Sequence, residues 1–149
     1  MKPREPLALF HSWALTERPR HFDLGRLEDW APATIIRLAE EHSLANFGVG
    51  RWECDLSDNS LTWSDGVYDL FRLPRGSAVA RDQAVGLYCE DSRSAMERLR
   101  AYAIAHKRGF TLDAQISPHH GEGRWMRLIA APICDGDRVI RLQGLKLLL

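Results

Sequence analysis

Three segments of β-strand character follow one another closely in the last part of the chain, from Phe110 to Leu149. They are residues 109–116, 124–132 and 138–145. The first break is the His-Gly-Glu-Gly run at residues 120–123, and the second is Asp-Gly-Asp at residues 135–137. Glycine and aspartate favour tight turns between strands, so this region predicts three consecutive strands.

The amino-terminal part predicts an arm followed by one helix. Residues 1–31 mix apolar and aromatic clusters with prolines and charges, so we expect an irregular or partly helical arm that packs against something. Residues 32–47 predict a helix that begins at Pro32 and carries Ile35 and Leu38 on one apolar stripe. A helix with one apolar side buries it on a sheet or on a second copy of the protein.

The middle of the chain predicts two strands and three helices. In order, they are a strand over residues 49–56, a strand over 61–64, a short helix ending near 71, a short helix over 81–88, and a longer helix from about 91 to 108. Met96, Leu99, Ala103 and His106 share one face of the longest helix. This face is expected to pack against the sheet.

The bulk composition excludes several classes of function. Twenty basic and twenty acidic side chains cancel in a chain of 149 residues, so no global field favours nucleic acid or an anionic membrane. No apolar run approaches the roughly 18 residues needed for a membrane span, and no convincing signal peptide begins the chain. Three widely spaced cysteines without a CxxC motif fit a reducing, cytoplasmic setting.

Four short motifs follow one another along the middle and last parts of the chain. They are residues 48–56 (Gly-Val-Gly-Arg-Trp-Glu-Cys-Asp-Leu), residues 61–71 with Leu-Thr-Trp-Ser and Val-Tyr-Asp-Leu-Phe, Glu90-Asp91, and Gly-Glu-Gly-Arg-Trp at residues 121–125. The chain thus resembles the PAS subclass with the Gly-x-x-Arg-Trp hairpin, as in bacterial sensor kinases and cyclic-dinucleotide signalling proteins. The resemblance implies an α+β fold with a five-stranded antiparallel sheet. Short helices and one longer connecting helix would cover one face, and an N-terminal helical extension the other.

The resemblance also sets the expected domain boundaries and shows three departures. It implies an arm at residues 1–31, a capping helix at 32–47 and a PAS domain at 48–149. Tyr88-Cys89 stands where His-Pro is usual, Asp-Ala-Gln at residues 113–115 stands where Glu-Tyr-Arg is usual, and no Asp-Ile-Thr follows Gly144. If the chain is complete, its signal leaves through a non-covalent partner or self-association; if it is an excised input domain, the output lies elsewhere.

A PAS-like fold places one set of side chains between the sheet and the helices. The candidate ligand pocket comprises Trp52, Cys54, Trp63, Phe71, Leu99, His106, Met126 and Leu128. This alternating pattern is the same whether the inward side chains line a ligand cavity or fill the core. Two inward tryptophans favour a filled core.

The opposite face of the sheet is expected to be partly apolar and to support a dimer. The candidate interface comprises Ile35, Leu38, Phe47, Trp125, Arg127 and Ile129. Such a face is covered by the N-terminal helix, by a second subunit, or by both, and we favour a homodimer.

The candidate chemistry is sparse. His106 at the helix face could ligate haem iron as in PAS haem sensors, although a histidine near a helix C-terminus is also favourable by charge alone. None of the three cysteines lies in a flavin-photosensor motif, and His119, His120 and Glu122 do not form a recognisable metal site. No catalytic motif is present, so we expect no enzyme, no resident cofactor and no metal.

These features favour a sensory or protein-interaction PAS module in bacterial signal transduction, including two-component systems. It would respond to a small-molecule ligand or a partner, such as a kinase or a cyclic-dinucleotide enzyme, and signal through dimer or partner contacts. The alternatives are a ligand-free dimerisation scaffold and, with less support, a haem-binding redox or gas sensor.

Overall fold

The computed structural model describes residues 11–21, 44–118 and 121–149. The strands are β1 (Ser12–Ala14), β2 (Val49–Asp55), β3 (Ser60–Trp63), β4 (Arg108–Ile116), β5 (Arg124–Asp135) and β6 (Arg138–Leu148). The helices are α1 (Arg18–His21), α2 (Asp65–Phe71), α3 (Arg81–Gly86) and α4 (Glu90–His106), with a 3-10 turn at Leu15–Glu17. Most of the predicted capping helix, with Ile35 and Leu38, lies outside the described residues; residues 44–46 are helical and a turn follows.

The described strands form one antiparallel sheet in the order β1-β4-β5-β6-β2-β3. The α+β class and the antiparallel sheet predicted from the motifs are therefore confirmed. The sheet has six strands rather than five, because β1, from the predicted arm, pairs with the start of β4. A strand of three residues is too short to show the alternation that predicts a strand from sequence.

Alternation along the long strands separates two apolar layers. The larger core lies between the sheet and helices α2 to α4, and on β4 it includes Phe110, Leu112, Ala114 and Ile116. The buried face of α4, Met96, Leu99 and Ala103, packs on the same side. The central strand β6 lies between β5 and β2, so side chains on its inner face point to the middle of this core.

Two glycines let α2 approach β2 closely. A Cβ on Gly50 would lie 2.3 Å from the backbone nitrogen of Val67, and a Cβ on Gly66 would lie 2.0 Å from the Val49 carbonyl oxygen. Both distances are far inside van der Waals contact, and backbone atoms cannot rotate away as side chains do. The close approach brings Phe71, which α2 carries at its end, over the inner face of the sheet.

Trp13 covers part of the outer face of the sheet. Its buried ring packs with Ile129 and Ala131, and it is stacked on His21 at 4.2 Å between ring centroids. Burial lowers the pKa of His21, with the nearby charge of Glu17 opposing this effect. The chain itself thus covers apolar side chains that were expected to be covered by the capping helix or by a second subunit.

Thr111→Val is expected to lower the free energy of unfolding by about 1 kcal/mol. The Trp13 Nε1–H donates to Thr111 Oγ1 at 3.0 Å, and valine keeps the shape of threonine while removing that acceptor. Thr62→Val is the matched control, because Thr62 is exposed on β3. Chemical denaturation of both variants tests this; equal stabilities would contradict a stabilising role for the bond.

Candidate functional site

The inner face of the sheet holds a lysine inside a group of aromatic rings. Lys146 lies on β6 and only 6% of its surface is exposed. Its Nζ lies 4.9 Å from the ring centroid of Phe71 and 5.6 Å from those of Trp52, Trp63 and Tyr88. These four rings and Lys146 are called the aromatic cage below. All four distances are within the range of cation–π attraction.

The aromatic cage is held by contacts among its own members and to the backbone. Trp63 stacks on Phe71 at 5.2 Å between centroids, and Phe71 contacts Tyr88 at 6.1 Å. The Trp52 Nε1–H donates to the Ile129 carbonyl at 3.3 Å. Tyr88 pairs with Ile116 through an isolated bridge, which ties the segment before α4 to β4. The rings are therefore positioned by both helices and strands.

Burial changes the proton affinity of both polar groups in the aromatic cage. The Lys146 Nζ donates to the Tyr88 hydroxyl at 3.2 Å. Loss of hydration lowers the pKa of Lys146 to about 7; the nearby Cys54 opposes this and the charge of Arg81 adds to it. Burial also raises the pKa of Tyr88, so that its hydroxyl stays neutral at physiological pH. The amine therefore changes its charge near neutral pH.

A cavity of about 50 Å³ lies beside the aromatic cage. Its walls come from the strands β2 to β6, from helices α3 and α4, and from the connection between these two helices: Trp52, Cys54, Leu61, Trp63, Arg81, Ala84, Val85, Tyr88, Met96, Arg100, Phe110, Leu128, Leu142 and Lys146. Arg81 is held by an ion pair with Glu97 of α4, and Arg100 donates to Asn59 at 3.0 Å. Drug-sized ligand pockets measure about 300–1,000 Å³, so the cavity suits a much smaller molecule.

The structure gathers most of the predicted pocket residues in the inner core. Trp52, Cys54, Trp63 and Leu128 line the cavity. The other buried candidates, Phe71, Leu99 and Met126, pack in the surrounding core without lining it. Strand and helix periodicity predicts that these seven side chains point inward, and all seven do.

The predicted pocket position of His106 is wrong. His106 is exposed and its ring packs on Tyr102, with 4.3 Å between centroids. It is the last residue of α4, and the chain leaves the helix at Lys107 in a left-handed conformation. The apolar stripe of α4 is buried from Met96 to Ala103, but the final turn of the helix, which carries His106, is not buried.

The predicted interface residues lie in different environments. Trp125 is 51% exposed and Phe47 is 81% exposed. Arg127 forms an ion pair with Asp113 across β4 and β5, at 2.8 Å. The prediction that Ile129 is available to a second subunit is wrong, because Trp13 of the same chain covers it.

Sequence reasoning missed the two polar members of the aromatic cage. Lys146 is not among the candidate pocket residues, yet Leu142, Gly144 and Lys146 alternate along β6, and the period of two places the lysine on the inner face. Tyr88 was noted only as a departure from the usual motif. The signal in the sequence was that Tyr88 stands where PAS domains usually carry a histidine.

Solved structures with a similar fold come from signalling proteins. The N-terminal domain of a diguanylate cyclase with a PAS/PAC sensor from Marinobacter aquaeolei has a TM-score of 0.60 at 13% identity, over 66% of this chain and 92% of that chain. A LOV domain of a blue-light activated histidine kinase from Erythrobacter litoralis has a TM-score of 0.56 at 25% identity, over 67% of this chain and 94% of that chain.

An RNA-binding light-oxygen-voltage receptor has a TM-score of 0.60 at 16% identity, over 68% of this chain. The match spans only 29% of that receptor's chain. No protein-family model matches the sequence, and a comparison with curated proteins found no match. The likeness to PAS and LOV structures shows that the chain has a PAS fold, as its motifs predict.

Two further findings bear on the kind of site. Within residues 11–21, 44–118 and 121–149, no group of three or more His, Cys, Asp or Glu side chains converges as metal ligands would. Over the same ranges, no helix is both long and apolar enough to cross a membrane. His119 and His120 lie outside the described residues.

Proposed function

We propose that this domain is a bacterial, cytoplasmic sensory module that responds to a small molecule in the cavity beside Lys146. The observation that supports this most is the aromatic cage itself, a buried cationic group next to an open volume. A core that serves only as a scaffold gains nothing from a buried amine, because desolvation of a charge is unfavourable. Sensor kinases and cyclic-dinucleotide enzymes are the proposed partner classes, since PAS neighbours come from such proteins. We propose no catalytic activity for the domain itself.

The sheet offers a short route from the cavity to the opposite surface. Lys146 on the inner face is followed by Leu147, which packs on the outer face against the cluster of Trp13, Ile129 and Ala131. A ligand that binds one arrangement of β6 better than another would shift the population toward it. The outer face would then present a different surface to a partner.

Ligand binding in this cavity can be tested with a variant that fills it. Ala84 lines the cavity and is buried, so Ala84→Met should occupy the space. A panel of small carboxylates, amides and alcohols, titrated against labelled protein, should shift the signals of cavity residues and of the exposed Trp125 indole in the wild type. The affinity should fall at least ten-fold in Ala84→Met, about 1.4 kcal/mol. Thr62→Val, which does not touch the cavity, is the control.

Compounds that bind the wild type and Ala84→Met equally, or that bind neither protein, would contradict ligand sensing in this cavity. Binding to neither would favour the ligand-free scaffold. That alternative has an observation in its support. Phe47, Trp125, Leu148 and Leu149, the exposed large apolar side chains of the described residues, lie near one end of the sheet.

This exposed group also supports a homodimer, in the sensor and in the scaffold alike. Trp125→Asp is expected to halve the particle mass at tens of micromolar protein, because a charge at a buried apolar contact is strongly unfavourable. Light scattering coupled to gel filtration measures the mass. Ala101→Asp, which places the same charge at an exposed position of α4, is the control, and an unchanged mass in Trp125→Asp would exclude this surface as the dimer contact.

A further inference from the structure

Among the described residues, no aspartate or glutamate pairs with Lys146. An ammonium has three hydrogens to donate. Of the described residues, only Tyr88 accepts a hydrogen bond from Nζ, and its hydroxyl carries no charge. A buried ammonium is normally paired with a carboxylate, since an isolated buried charge is strongly unfavourable. The aromatic rings offset part of this cost through their negative faces, but they do not supply a counter-charge.

The charged groups that line the cavity are all cations. They are Arg81, Arg100 and Lys146, and no aspartate or glutamate is among the lining residues. Glu97 of α4 forms an ion pair with Arg81 and does not line the cavity. Arg100 has a neutral partner, the side-chain oxygen of Asn59. The cavity is therefore positive on balance and matches an anion.

The rest of the cavity wall favours a short apolar tail. Most of the lining residues are apolar, Trp52, Trp63, Leu128 and Leu142 among them. An apolar cavity of about 150 Å³ holds benzene. A cavity of about 50 Å³ therefore suits a molecule of only a few non-hydrogen atoms.

We propose that the cavity binds a short-chain monocarboxylate, with its carboxylate as the counter-ion of Lys146 and its alkyl tail among the rings of the aromatic cage. This inference rests on the proposed function, because it names the chemical class of the sensed ligand. The carboxylate occupies the donor positions of Nζ that Tyr88 leaves open. Arg100 at the cavity wall adds a second positive charge.

Binding of the anion is coupled to the proton on Lys146. The titratable and charged groups that line the cavity with it are Cys54 from β2, Arg81 and Arg100 from α3 and α4, and Tyr88. Tyr88 stays neutral, and Lys146 is the amine that changes charge near neutral pH. A carboxylate favours the ammonium, and its affinity accordingly falls as the pH rises above 7.

Acetate is the probe, and acetamide is its neutral control of the same shape. Carbon-13 NMR of the Lys146 Cε reports the protonation of the amine in the wild-type protein, so the result does not depend on any variant. At constant ionic strength set with chloride, acetate should bind with a Kd of about 1–10 mM at pH 6.5. The Kd should be at least ten-fold weaker at pH 8.5, and the pKa of Lys146 should rise on binding. Acetamide should show no saturable binding.

Lys146→Met should abolish acetate binding, while Lys107→Met, at a partly exposed lysine on the turn after α4, should retain it. Acetate that fails to saturate, or that binds Lys146→Met as well as the wild type, would overturn the inference. The two proposals fail separately. Neutral compounds that bind the cavity while acetate does not would leave ligand sensing in place and remove the carboxylate class. Failure of every compound would remove both.

Discussion

Lys146→Met is expected to raise the free energy of unfolding at pH 6 by roughly 2–5 kcal/mol. The folded-state pKa of Lys146, about 7, lies below its ordinary value of 10.5. Between these values the unfolded chain binds a proton that the folded chain does not. The wild type therefore gains stability as the pH rises from 7 to 10.5, and below pH 7 it carries the full cost of the buried charge.

Methionine has a similar length and no charge, so the variant should show none of this gain. The difference in stability between variant and wild type should be largest below pH 7 and should shrink as the pH rises toward 10.5. Denaturant titrations at several pH values measure it, with Lys107→Met as the matched control at a partly exposed lysine. A difference that does not depend on pH would show that the amine is not the source of the effect.

Phe71→Ala is expected to lower the free energy of unfolding by about 3–5 kcal/mol. The ring is fully buried, stacks on Trp63 and lies closest to the Lys146 Nζ. Its removal leaves a large cavity and takes one ring from the aromatic cage. Since α2 is held against β2 by a close backbone approach, the helix cannot easily move in to fill the space.

Phe47→Ala is the matched control for Phe71→Ala. The substitution is the same, but Phe47 is 81% exposed, so the change should stay within about 0.5 kcal/mol. Equilibrium denaturation of both variants measures the contrast. A loss below about 1.5 kcal/mol for Phe71→Ala would mean that the core relaxes around the missing ring.

Periodicity and motif order were enough to predict the long elements of this fold. The strands β4 to β6 and the helix α4 each span many residues, so their apolar alternation is repeated and stands out from chance. The short strand β1 offered no such repetition. Its position depends on one side chain, Trp13, whose contacts join residues almost 100 positions apart. Contacts of that kind follow from the fold and are not visible in a local pattern.

The candidate site was predictable in its apolar part only. Strand alternation placed Trp52, Trp63 and Met126 on the inner face, which the structure also does. Lys146 shares the same alternation but was not counted, since a lysine is seldom buried without a partner. His106 was counted because helical spacing puts it in line with Leu99 and Ala103. Spacing along a helix carries no information on where the covering sheet ends.

The aromatic cage gives the protein an internal optical probe. Two tryptophan rings, Trp52 and Trp63, have their centroids 5.6 Å from an amine whose charge changes near neutral pH. Indole emission responds to a nearby charge, because the field shifts the energy of the excited state. Fluorescence of the unlabelled protein can therefore follow the proton on Lys146, and with it the occupancy of the cavity, in real time.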